Sequence, residues 1–88
     1  MRKIQFEPKA YQDFINWSKE NKVIFEKITD LIQDIQRDIF KGLGKPEPLK
    51  KNLQGFWSRR INDEHRLVYR VQEDVIRIVS CHGHYADF

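Results

Sequence analysis

The chain has 88 residues, 40% hydrophobic and 12% aromatic, enough for one small packed core over residues 1–88 and too few for a second. Those hydrophobic and aromatic fractions argue against disorder; charged residues make up 33%, and no apolar run approaches the ~20 residues of a membrane span. The net charge is +3, and the lone cysteine, Cys81, excludes an internal disulfide. A soluble cytoplasmic domain is therefore expected; the amino-terminal MRKIQFEPK also lacks the apolar stretch of a secretory signal.

Residues 2–6, RKIQF, alternate polar and apolar and predict a short strand. Pro8 suits the first turn of a helix, where its missing N–H would be unpaired anyway. Tyr11, Phe14 and Ile15 follow at helical spacing with Trp17 beside them, so helix one runs to about Lys19. Asn21 interrupts and is placed to cap the next helix. There Ile24, Ile28, Leu31, Ile32, Ile35 and Ile39 recur on one face of a 3.6-residue period, with Glu26, Asp30, Gln33, Asp34 and Arg37 on the other. Gly42 and Gly44 are expected to end it.

A loop is expected over residues 41–54, after which the period changes to two. FWSRRI (56–61), RLVYRV (66–71) and VIRIVSC (75–81) predict three strands joined by polar connectors of hairpin size. The fold class is therefore α+β: two amino-terminal helices packed on a small twisted antiparallel β-sheet.

The charge is unevenly placed. Between residues 41 and 60, Lys41, Lys45, Lys50, Lys51, Arg59 and Arg60 stand against the single acid Glu47. A block of one sign attracts a polyanion, although a solvated basic loop has the same composition. Glu47 lies between Pro46 and Pro48, and a residue before proline is held extended. A stiff mount suits a general base, whose carboxylate must reach one particular proton. Taken alone, Glu47 also reads as a surface acid neutralising nearby lysines.

Arg66 opens a strand and is either an edge charge or a bidentate clamp for phosphate. Arg59 and Arg60 alternate, so at most one of them faces the same site. In CHGHY (81–85), a histidine suits a general acid near neutrality. His82-x-His84 is also a metal-ligand spacing, but only His65 is left as a third imidazole and Cys81 would face the other way. Tyr85 either stacks on a base or closes the core. A carboxylate, an arginine, a histidine and a tyrosine in the basic half, with no nucleotide-binding glycine loop, form a kit for metal-free RNA cleavage through the ribose 2′-hydroxyl.

GKPEPLKKNLQGFWSRRINDEHRLVYRV followed by CHGHY resembles the YoeB toxins of bacterial toxin–antitoxin systems, within the wider RelE group. The likeness extends over nearly the whole chain, and GKPEPLK, GFWSRRI and EHRLVY in this order and spacing are highly specific. The resemblance implies a microbial-ribonuclease-like fold and an endoribonuclease (an mRNA interferase) that cuts messenger RNA in the ribosomal A site. It implies Glu47 as general base, Arg66 as phosphate stabiliser, His84 as general acid and Tyr85 as a substrate-positioning residue. Lys50, Lys51 and Arg59 become supporting RNA contacts, and neither metal nor cofactor is implied. The implied partners are a YefM-like antitoxin, the ribosome and, through the antitoxin, operator DNA, with homodimers or toxin–antitoxin hetero-oligomers.

Two features depart from the family pattern. Gly83 stands where a bulky residue commonly precedes the histidine, and Ala86-Asp87-Phe88 extends past Tyr85. Asp87 is available to pair with Arg66 or His84, and Phe88 to pack on the sheet. Two alternatives stay open: a toxin-fold module that only binds antitoxin, RNA or operator DNA, and a metal-dependent nuclease.

Overall fold

A computed structural model describes residues 2–84. The elements run β1 (Lys3–Phe6), α1 (Pro8–Glu20), α2 (Lys22–Arg37), β2 (Glu47–Pro48), a one-turn 3-10 helix (Lys51–Leu53), β3 (Phe56–Arg60), β4 (Arg66–Val71) and β5 (Val75–Ser80). Asn21 serves both helices. Its N–H donates to Trp17 O and closes α1, while its Oδ1 accepts from the Val23 and Ile24 amides and opens α2. Pro8 begins α1 as its composition requires.

The isoleucine stripe packs as expected. Ile28, Leu31 and Ile35 of α2 are fully buried with Ala10 of α1 against Leu67, Tyr69, Ile76 and Ile78 of the sheet. Each such aliphatic side chain contributes about 1.5–3 kcal/mol of transfer free energy. Phe6, Phe14 and Phe25 extend this core, with ring centroids 5.1 and 4.8 Å apart along the row. Among the described residues no helix is long and apolar enough to cross a membrane.

Helix α2 stops at Arg37, short of the expected Gly42 and Gly44. Asp38 is extended (φ −154°, ψ 115°), and its Oδ1 accepts from the Phe40 and Lys41 amides. An aspartate offering such local bonds competes with the helix. Ile39 therefore lies past the helix end, although it still packs against the core.

The sheet has the order β1-β5-β4-β3-β2. Three pairings are antiparallel, but β1 runs parallel to β5, so the sheet is mixed rather than wholly antiparallel. A parallel neighbour demands a long crossover, and both helices lie in that connection. The expected 41–54 loop also contributes structure. Glu47 and Pro48 pair with Ser58 and Trp57, and the Leu49 amide donates to Phe56 O, so a short fifth strand borders the sheet. β4 is central, and its residues Arg66–Tyr69 are buried on both faces.

Candidate active site

The sheet register gathers most of the candidate residues at one end, where β3 and β5 finish and β2 and β4 begin. Glu47 faces Ser58, Ser58 faces Val68, and Arg60 faces Arg66 two residues further along. Two inter-strand steps and two residues of rise put the Cα atoms of Glu47 and Arg66 about 12 Å apart. Glu47 is exposed on the edge strand, and its segment lines a cleft of about 430 Å³ with Lys50 and Lys51. The stiff Pro46-Glu47-Pro48 mount is thus an edge strand that carries the carboxylate beside two exposed ammonium groups.

Arg66 is only 7% exposed, and its Nη1 donates to the carbonyls of Asn62 (2.7 Å), Asp63 (3.3 Å) and His65 (3.1 Å). The Asn62 side chain shapes that turn by accepting from the Glu64 and His65 amides. Among the described residues no carboxylate forms an ion pair with Arg66. A rigid, nearly buried guanidinium solvated by carbonyl dipoles is suited to an incoming anion, since Nη1 alone is drawn into the turn.

The segment after β5 returns to Arg66. The Arg66 amide donates to Gly83 O at 2.9 Å, and the Gly83 amide donates to His65 Nδ1 at 2.9 Å. His84 therefore follows a peptide hydrogen-bonded to the start of β4. Gly83 has φ +79°, which a bulky residue would adopt only under strain, so the first departure from the family pattern fits this turn. Cys81 and His82 lead into it. Trp17 Nε1 donates to Cys81 O at 2.9 Å, and its ring stacks on His82 with centroids 5.4 Å apart. Burial pushes the Cys81 thiol up to about 12, so it is a core thiol rather than a nucleophile. Tyr85 and the Ala86-Asp87-Phe88 tail lie outside the described residues.

Arg59 is not at this site. It is 0% exposed on the helix-facing side of β3, and all its donors are taken up inside the protein. Nε donates to the Tyr69 hydroxyl, Nη1 to Asp34 Oδ2 (2.6 Å) and Leu43 O, and Nη2 to the carbonyls of Asp38 (2.6 Å), Ile39 and Lys41. The expected RNA contact is replaced by a buried hub, because a guanidinium enclosed by protein cannot reach solvent. Asp34, expected on the polar face of α2, is the acidic half of that hub. Hydrogen bonds from Arg37, the Leu43 amide and Arg59 hold its carboxyl well below the usual range, at about 2, against an opposing effect of burial. Arg60, its neighbour, is exposed.

The two aromatic residues that open β3 take different surroundings. Trp57 packs against the core beside Phe40, and Arg70 lies 5.2 Å over the Phe56 ring. Among the described residues no group of three or more His, Cys, Asp or Glu side chains converges in a way that could hold a metal.

Residues 6–85 match the family described as YoeB-like toxin of bacterial type II toxin–antitoxin system. The chain is 49% identical to Toxin YoeB of Escherichia coli K12 over 83 residues, covering 94% of this chain and 99% of the relative. It belongs to the YoeB toxin family.

Solved structures agree with the assignment. The YoeB/ParE toxin of Agrobacterium tumefaciens superposes with a TM-score of 0.92 at 42% identity, over 94% of this chain and 99% of that one. YoeB of Staphylococcus aureus has been solved as a dimer (TM-score 0.89, 46% identity, 96% and 98% covered) and in a YoeB–YefM complex (0.88, 46%, 97% and 99%). The chain is thus a toxin of a type II toxin–antitoxin family, with the α+β fold of its relatives. Sequence reasoning named Arg60 only as the alternate of Arg59 and His65 only as a third imidazole, whereas the structure leaves Arg60 exposed at the end of β3 and sets His65 against the Gly83 amide.

Proposed function

We propose that this YoeB-family toxin is a metal-independent endoribonuclease that cleaves messenger RNA in the ribosomal A site and so inhibits translation. Glu47 accepts the proton of a ribose 2′-hydroxyl as that oxygen attacks the adjacent phosphorus. A P–O2′ bond forms and the P–O5′ bond breaks, leaving a 2′,3′-cyclic phosphate and a free 5′-hydroxyl. His84 delivers the proton that the departing 5′-oxygen needs, and Arg66 stabilises the charge on the phosphoryl oxygens. Tyr85 positions the substrate. Lys50, Lys51 and Arg60 hold the RNA backbone, Arg60 taking the role first expected of Arg59.

The observation that carries this reading is the arrangement at one end of the sheet: an edge-strand carboxylate, a buried guanidinium joined to no described acid, and a histidine one peptide from that guanidinium's backbone. We further infer a cytoplasmic protein silenced by a YefM-like antitoxin, acting as a homodimer or toxin–antitoxin hetero-oligomer and reaching operator DNA through the antitoxin. The S. aureus dimer and YoeB–YefM complex support the antitoxin and the oligomeric states by likeness.

Primer extension on ribosome-bound mRNA would compare wild type with Glu47→Ala and His84→Ala, with folding checked by circular dichroism. Wild type is expected to cut and each folded variant to lose at least ~10²-fold in rate. Because ribosomes themselves require Mg²⁺, metal independence is read on a free RNA oligonucleotide at high toxin concentration with EDTA. Cleavage abolished by EDTA would overturn that part. Wild type that cuts neither substrate yet binds a YefM-type antitoxin would favour a module that only binds.

A further inference from the structure

His65 takes no part in the chemistry above, yet it is 6% exposed and its ring makes a specific polar contact. Its Nδ1 accepts the Gly83 N–H at 2.9 Å, while the amide of the next residue, Arg66, donates to Gly83 O at 2.9 Å. Consecutive residues thus grip both ends of the Gly83 unit. The grip needs φ +79° at Gly83 and an Nδ1 free of its proton. The ring's surroundings favour that state: the Trp17 ring packs against it in a T-shaped pair with centroids 4.9 Å apart, and burial lowers the tendency of the imidazole to take a second proton. Two titratable groups face it. Glu64 Oε1, 3.8 Å from Nε2, favours the charged form, and His82, with ring centroids 4.8 Å away, opposes it.

We propose that His65 is a positioning residue: its Nδ1 and the Arg66 amide hold the Gly83 peptide from both sides and so fix where His84 stands relative to Arg66. The idea rests on the ribonuclease reading, in which His84 supplies the proton to the leaving oxygen. General acids tolerate little displacement, and a 1 Å error can cost about 10²-fold in rate. RNA binding should change little, because the backbone contacts assigned to Lys50, Lys51 and Arg60 lie on β3 and the Glu47–Leu53 segment, away from the His65 ring.

The test uses two variants of the full chain. His65→Leu keeps the bulk against the Trp17 ring but has no acceptor, whereas His65→Asn places Oδ1 where Nδ1 stood. Single-turnover cleavage of ribosome-bound mRNA should fall about 10- to 10²-fold in His65→Leu with the half-saturating concentration unchanged, and return close to wild type in His65→Asn. In ¹⁵N-labelled protein the Gly83 amide should move upfield in His65→Leu and keep its position in His65→Asn. The wild-type rate should also fall toward acid pH, on the acid side of the ordinary histidine range because burial disfavours the protonated ring, and that acidic limb should flatten in His65→Asn. A folded His65→Leu that cleaves at the wild-type rate overturns the proposal while leaving the ribonuclease reading intact. Loss that His65→Asn fails to restore overturns it as well, since a merely structural role would behave that way. Wild type that never cleaves removes the ribonuclease reading and the catalytic purpose of the grip together.

Discussion

Arg59 Nη1 meets Asp34 Oδ2 at 2.6 Å in the interior, joining β3 of the sheet to the last turn of α2. The same guanidinium takes the carbonyls of Asp38, Ile39, Leu43 and Lys41, so one side chain organises the whole passage from α2 toward β2. A buried charge is tolerable only when its donors are satisfied, and here a carboxylate, a hydroxyl and four carbonyls do so.

Removing either partner alone should destabilise the fold strongly. Arg59→Leu and Asp34→Leu are each expected to lose about 3–5 kcal/mol, because an uncompensated charge stays behind. That is a large share of what a domain of this size possesses. Arg59→Lys should not rescue, since one ammonium cannot reach acceptors spread around a planar fork. Urea unfolding followed by circular dichroism gives the values; a loss under about 1 kcal/mol would mean the pair behaves like a surface salt bridge.

The Asp34 carboxyl also sets an acid limit. Its pKa is depressed from 3.8 to about 2, the Arg37 hydrogen bond being the largest cause. A depressed carboxyl contributes stability that is fully present above its unfolded value and is lost as pH falls through the folded one. The wild-type urea midpoint should therefore decline between pH 3.8 and about 2 more steeply than that of Asp34→Asn, which has no carboxyl to titrate. Parallel curves over that window would refute the assignment.

These interior bonds explain what the sequence could and could not reveal. The isoleucine stripe made α2 legible, but its end was not, because Asp38 and a guanidinium more than twenty residues away decide it. Alternation put Arg59 and Arg60 on opposite faces without saying which face the helices cover. Glu47 was legible as a stiffly mounted acid, whereas β2 was not, since two residues between prolines show no period. The parallel pairing of β1 with β5 joins the two ends of the described chain and leaves no local trace. His65 acts through a main-chain N–H, and no residue pattern records such a partner.

Lys50 and Lys51, exposed beside Glu47, should contribute charge rather than chemistry. In a Glu47→Gln background, chosen because the proposed mechanism predicts that it does not cleave, Lys50→Ala/Lys51→Ala should weaken single-stranded RNA binding at every sequence. The slope of log affinity against log salt should fall by about 0.7 for each phosphate that is no longer neutralised. Fluorescence anisotropy across a salt series measures it. An unchanged slope would make the two lysines a solvated flank with no part in RNA binding.

Two glycines separate backbone strain from damage to the hub. Gly42 (φ +124°) lies against the ion pair: a Cβ there would overlap Asp34 Oδ2 and sit 3.3 Å from Arg59 Nη1. Gly55 has a comparable φ of +97°, but nothing lies within 4 Å of its would-be Cβ. Gly55→Ala should therefore cost strain alone, about 1–3 kcal/mol. Gly42→Ala must also displace the Asp34 carboxylate from Arg59, so its loss should exceed that of Gly55→Ala by about 2 kcal/mol or more. Combining each change with Asp34→Asn in a double-mutant cycle sharpens the contrast. Gly42→Ala should couple to position 34, while Gly55→Ala should add independently within about 0.5 kcal/mol. Equal losses without coupling would show that Gly42 is needed only for its backbone angle, and that the hub tolerates a methyl group at its edge.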